Sequence, residues 1–138
     1  MARILSIDYG KKRTGIAVTD PMQIIANGLA TVSTSELFDY LKNYISQEEV
    51  ERVIIGKPLQ TNGQPSENLQ RVVQFVNRWR KAVPAIPIEY VDERFTSVLA
   101  HQVMIDGGLR KKARQDKALV DRISATIMLE DYLRQSVR

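Results

Sequence analysis

The chain contains no cysteine. Disulfides and thiolate metal sites are therefore excluded. Its single histidine, His101, falls within a helical pattern and is expected on the surface, so no cluster of imidazoles is available as a metal site. No apolar run approaches the length of a membrane span. Arg3 and Asp8 stand too close together for the apolar region of a signal peptide, and a cytoplasmic protein is expected. There is no repeat period and no low-complexity tract. The pattern Gly-x-x-x-x-Gly-Lys-Ser/Thr is missing, which removes the P-loop option.

What is present suits one compact domain. The chain has 138 residues, enough for a single core. The net charge is +4 and the sequence pI is about 9.5. That excess alone explains no more than solubility, but its placement points to a polyanionic partner. Lys11, Lys12 and Arg13 follow the first apolar run, and Arg110, Lys111, Lys112 and Arg114 crowd a late loop.

Apolar periodicity gives three strands first, at about 3–9, 14–20 and 25–32, joined by short turns at Gly10, Gly15, Asp20-Pro21 and Asn27-Gly28. Short links imply antiparallel neighbours. Ser33 or Thr34 is the expected cap of an amphipathic helix carrying Leu37, Phe38, Leu41, Tyr44 and Ile45. A fourth strand spans Val50 to Gly56. After a loop, Pro65 suits the start of a helix with Leu69, Val72, Val73, Val76 and Trp79 on one face. A fifth strand at 86–91, a helix at 96–106 ended by Gly107-Gly108, and a last helix at 116–135 complete the order β-β-β-α-β-α-β-α-α. One α/β domain over 1–138, with a five-stranded mixed sheet (three antiparallel strands, then two parallel) between helices, satisfies that order.

Three acids sit where acids are costly. Asp8 and Glu93 each end an apolar strand. Asp121 shares a helical stripe with Ala125, Met128 and Tyr132, whereas Arg122, Thr126 and Glu130 share a polar face. If these elements are neighbours, the carboxylates converge and repel one another. A divalent cation relieves that repulsion, because hard cations take oxygen ligands. An acidic metal site in a basic chain suggests metal-dependent cutting of a polyanion.

Four segments carry a resemblance. They are Ile7-Asp8-Tyr9-Gly10-Lys11-Lys12-Arg13-Thr14-Gly15-Ile16-Ala17-Val18-Thr19-Asp20, Gly56-Lys57-Pro58-Leu59 with Asn62-Gly63, Asp92-Glu93-Arg94-Phe95-Thr96-Ser97, and Val120-Asp121-Arg122-Ile123-Ser124-Ala125. In this order they resemble the motifs of the YqgF (RuvX) family of pre-16S rRNA nucleases, also described as Holliday junction resolvase-like. The resemblance spans nearly the whole chain. Phe95 and Ser97 stand where the family often has Leu and Thr. It implies an RNase H-like fold, Asp8, Glu93 and Asp121 as catalytic carboxylates, and processing of the 5′ end of the small-subunit ribosomal RNA precursor.

Mg²⁺ or Mn²⁺ is the expected cofactor, held by Asp8, Glu93 and Asp121, with Asp8 central because it lies on the middle strand. Plain structural alternatives stand beside this: Glu93 pairing with Arg94, and Asp121 capping the last helix. Asp20 and Asp92 read as turn or cap residues, Thr96 as a cap, and Trp79 and Tyr132 as core. Lys11, Arg13, Lys57, Asn62, Arg94, Arg110, Lys111 and Lys112 are the expected nucleic-acid contacts, with Arg13 favoured for a phosphate because guanidinium binds it in a fork. Solvated turns and loops are the alternative for these residues.

Precursor rRNA is the expected partner and structured DNA the alternative, for a monomer or weak homodimer. Rival functions are a junction resolvase, which needs a symmetric dimer, a non-catalytic ribosome-assembly factor, and a sugar-kinase-like ATPase. The last closes two related domains around its nucleotide, and this chain has one.

Overall fold

A computed structural model describes residues 2–58, 67–92 and 117–136. In chain order they form β1 (Arg3–Tyr9), β2 (Arg13–Thr19), β3 (Ala26–Ser33), α1 (Leu37–Gln47), β4 (Val50–Lys57), α2 (Leu69–Ala82), β5 (Ile88–Asp92) and α3 (Lys117–Ser136). The strands make one sheet in the order β3-β2-β1-β4-β5. β1 pairs antiparallel with β2, and β2 with β3. β1 pairs parallel with β4, and β4 with β5. The mixed sheet with a central β1 is the arrangement the element order predicts. The helix expected at 96–106 lies outside the described residues.

Strand alternation sorts side chains to two faces. Leu5, Ile7, Ile16, Val18, Val53, Ile55 and Ile88 point to one face, where Leu37 and Leu41 of α1 and Val72, Phe75, Val76 and Trp79 of α2 close the larger core. Trp79 is fully buried there and donates Nε1–H to the carbonyl of Ile86 at 3.0 Å, which satisfies its one polar atom. Ile4, Ala17 and Ile54 point to the other face, against Ala125, Met128, Leu129 and Leu133 of α3. Each face is thus covered by helix.

Several boundaries differ from the sequence reading for identifiable reasons. No side-chain cap begins α1; a 3₁₀ turn at Thr34–Glu36 precedes it. The Thr34 hydroxyl is engaged elsewhere. It donates to the carbonyl of Gly10 at 2.7 Å and lies 2.9 Å from the Thr14 hydroxyl, tying the β1–β2 turn to the end of β3. β5 starts at Ile88 rather than 86, although Pro87 still accepts a bond from the N–H of Val53 at 2.9 Å. Asp20 is the turn residue its sequence context implies. Its carboxylate accepts the N–H groups of Ile24 and Ile25 at 2.8 Å and of Met22 at 3.2 Å. These bonds, that of Ile25 foremost, hold its pKa below the usual carboxylate value.

The far half of α3 is fixed by a polar network. Arg52 Nη1 on β4 donates to Glu89 Oε1 of β5 at 3.0 Å and to the Tyr132 hydroxyl at 2.7 Å. Tyr132 in turn donates to Glu89 Oε1 at 2.7 Å. Tyr132 is therefore a half-buried anchor between helix and sheet rather than a fully enclosed core residue. The face of α3 that reads as polar in sequence is also partly covered, because Gly28 of β3 lies against Arg122 and Thr126.

Candidate active site

Asp8 is on β1, two residues beyond Ser6 and four beyond Ile4. Alternation puts all three on the face that α3 covers. α3 is docked there by contacts through its own carbonyls. Thr31 of β3 donates its hydroxyl to the carbonyl of Ala118 at 2.6 Å. Ser6 of β1 donates to the carbonyl of Ala125 at 3.0 Å. Between them, Gly15 of β2 lies directly beneath the backbone of Asp121, and a β-carbon at Gly15 would overlap the Asp121 carbonyl. The first turns of α3 thus cross β3, β2 and β1 in succession.

This docking sets the backbones of Asp8 and Asp121 at adjoining positions on one face of the sheet. Gly15, which supports Asp121, is the direct cross-strand partner of Asp8. Asp8 therefore lies beside the turn of α3 that carries Asp121. Asp121 lies inside the helix, four residues beyond its first residue, so it does not cap it.

Arg13 opens β2 on the same face as Gly15 and Ala17. Its Nε donates to Asp121 Oδ2 at 3.0 Å. The sequence favours a phosphate as the partner of Arg13; within the chain itself its guanidinium is held by the Asp121 carboxylate. Asp121 is consequently not an uncompensated charge, and electrostatic relief comes from within the chain. Lys11 and Lys12 are exposed in the turn between β1 and β2, beside Asp8. The tightness of that turn depends on Gly10, where a β-carbon would overlap the carbonyl of Arg13.

Lys57 ends β4 at the same carboxyl edge of the sheet and is exposed. Alternation groups it with Val53 and Ile55, on the face opposite Asp8. β5 ends at Asp92, paired with Lys57. Glu93, Arg94, Asn62, Arg110, Lys111 and Lys112 lie outside the described residues. Among the described residues no group of three His, Cys, Asp or Glu side chains is placed to hold a metal ion. Asp8 and Asp121, at adjoining positions on this face, carry hard oxygen donors of the kind Mg²⁺ and Mn²⁺ take.

Two positioning residues escape a reading of the sequence. Gly15 reads there as a turn glycine, yet it is a buried strand residue whose missing side chain admits the helix. Asn68, just before α2, donates Nδ2–H to the carbonyl of Tyr9 at 2.8 Å and so fixes the end of β1 from the opposite face. A glycine inside an apolar alternation is the available signal for the first; nothing local marks the second.

Comparison with known proteins bears on the family and the fold. The family model described as "RuvX: Holliday junction resolvase" matches residues 2–135. Relatives named "Putative pre-16S rRNA nuclease" include one from Phocaeicola vulgatus, 65% identical over 133 residues and 96% of each chain. Another, from Flavobacterium psychrophilum, is 56% identical over 137 residues, covering 99% of this chain and all of the relative. Among solved structures, fowlpox virus resolvase in complex with Holliday junction DNA superposes with a TM-score of 0.60 at 12% identity, covering 99% of both chains. T. thermophilus RuvC, also with a Holliday junction, gives 0.59 at 16% identity over 98% of this chain and 96% of its own. At such identities the structures report the fold, which is RNase H-like. The family match and the close relatives show that this chain belongs to the RuvX family.

Proposed function

We propose that the protein is a metal-dependent nuclease that hydrolyses phosphodiester bonds, with the 5′ region of precursor 16S rRNA as its substrate in the bacterial cytoplasm. The observation that carries this reading is the placement of Asp8 and Asp121 at adjoining positions on one face of the sheet, with a basic turn beside them. Membership of a family whose relatives are named nucleases supports it. Glu93, next in the sequence after β5, is the third carboxylate of this reading.

Asp8, Glu93 and Asp121 would hold Mg²⁺ or Mn²⁺, which when bound supplies an activated water and stabilises charge on the leaving oxygen. The chain itself does the rest. Ser6, Gly15 and Thr31 dock α3 on the sheet and so fix the backbone positions from which Asp8 and Asp121 act. Lys11 and Lys12 on the β1–β2 turn contact phosphates and draw in the polyanion.

A Holliday junction resolvase-like DNA endonuclease is the second reading, favoured by the family description and by the fold shared with resolvases. Matched RNA, single-stranded DNA and four-way-junction substrates, incubated with Mg²⁺ or Mn²⁺, separate the two. Preferential cutting of precursor RNA supports the first reading. Paired cuts in the junction alone support the second. Binding without cutting of any substrate would leave a non-catalytic assembly factor.

A further inference from the structure

Arg13 balances the charge of Asp121 by a direct ion pair. The contact is a single one, Nε to Oδ2 at 3.0 Å. Among the described residues no other acceptor holds the guanidinium. The Arg13 side chain is 42% exposed, against 21% for Asp121, so the pair is reachable by water and easily parted. The backbone at Arg13, in contrast, is fixed. It is paired with Ser33 in the sheet, its carbonyl closes on Gly10, and the N–H of Thr34 bonds the preceding Lys12 carbonyl at 3.0 Å. The side chain is the exposed part, and it stands on the face of the candidate site next to the exposed Lys11 and Lys12.

We propose that Arg13 is an exchangeable counter-cation. In the metal-free protein it neutralises Asp121; when Asp121 takes a divalent cation, Arg13 is released and turns its fork to a phosphate of the nucleic acid. One side chain then couples metal loading to substrate capture. Coupling of this kind is reciprocal: bound RNA, by drawing Arg13 away, raises the affinity of Asp121 for the cation by the same factor that the cation raises affinity for RNA. The inference rests on the nuclease reading of Asp8 and Asp121.

The test is calorimetric titration of MnCl₂ into wild type, Arg13→Gln and Arg13→Lys without nucleic acid, after circular dichroism confirms the fold. Arg13→Gln should bind Mn²⁺ about two- to fivefold more tightly than wild type, the scale set by removal of one exposed ion pair. Arg13→Lys keeps the charge but not the Nε contact, and should fall between them. Should Arg13→Gln not fold, a tighter Arg13→Lys is still required. A second arm measures the anisotropy of a phosphorothioate RNA that resists cleavage, with and without Mn²⁺. The gain in RNA affinity on adding Mn²⁺ should be smaller in Arg13→Gln than in wild type. Equal or weaker Mn²⁺ binding by both variants would overturn the inference while leaving the metal site intact. No Mn²⁺ binding by wild type or variants would overturn both.

Discussion

Gly15 and Asp121, on different elements and more than a hundred residues apart, touch backbone to backbone with no room for a β-carbon. Because Gly15 also pairs with Asp8, this one contact fixes the backbone of Asp121 beside the strand position of Asp8. A methyl group added at Gly15 meets main chain rather than a flexible side chain, so the helix itself must shift.

Gly15→Ala is therefore expected to cost about 1–3 kcal/mol of stability, the range for overpacking a tight contact. Displacing α3 should also lower cleavage by the folded fraction, since small misplacements of catalytic groups are expensive. Urea melts beside single-turnover cleavage provide the check. Wild-type stability with wild-type cleavage would show that α3 does not depend on this contact.

How much of this was legible in the sequence follows from distance along the chain. Asp8 and Asp121 stand out because each is an acid on an otherwise apolar element, a local signal. The element order and the central place of β1 follow from short turns and apolar periodicity, which are local too. The ion pair from Arg13 to Asp121 is not readable, because it depends on where α3 crosses the sheet. Thr34 reads as a helix cap, but its hydroxyl goes to Gly10, a choice made by tertiary structure. Gly15 reads as a turn residue because a sequence does not display close approach of a helix backbone.

The β2–β3 turn should show a defined pH dependence. Hydrogen bonds from the N–H of Ile25, then Ile24 and Met22, depress the Asp20 pKa. A depressed carboxylate stabilises the fold above its unfolded pKa of about 3.9 and loses that contribution as pH falls through the folded value. Asp20→Ala should thus lower Tm at pH 7, and the gap from wild type should narrow below about pH 4. A gap independent of pH would mean that the carboxylate charge plays no part in holding the turn.

The basic segments should act through phosphates. Neutralising Lys11 and Lys12 together, or Arg110, Lys111 and Lys112 together, should weaken binding to all single-stranded RNA sequences by a similar factor. For each phosphate no longer neutralised, the dependence of log affinity on log salt should flatten by about 0.7. Salt titrations of RNA affinity measure this slope. An unchanged slope would identify the altered segment as a solvated connector.

The central claim is that Asp8 and Asp121 form the catalytic centre of a metal-dependent nuclease. Single-turnover cleavage of precursor RNA in Mg²⁺ and in Mn²⁺, by wild type and by Asp8→Asn, addresses it most directly. Asp8→Asn preserves size while removing the charge that would hold the cation. The account predicts a folded protein whose cleavage rate falls by at least about a hundredfold, about 2.7 kcal/mol of transition-state stabilisation. A folded Asp8→Asn protein that cuts at the wild-type rate would contradict it.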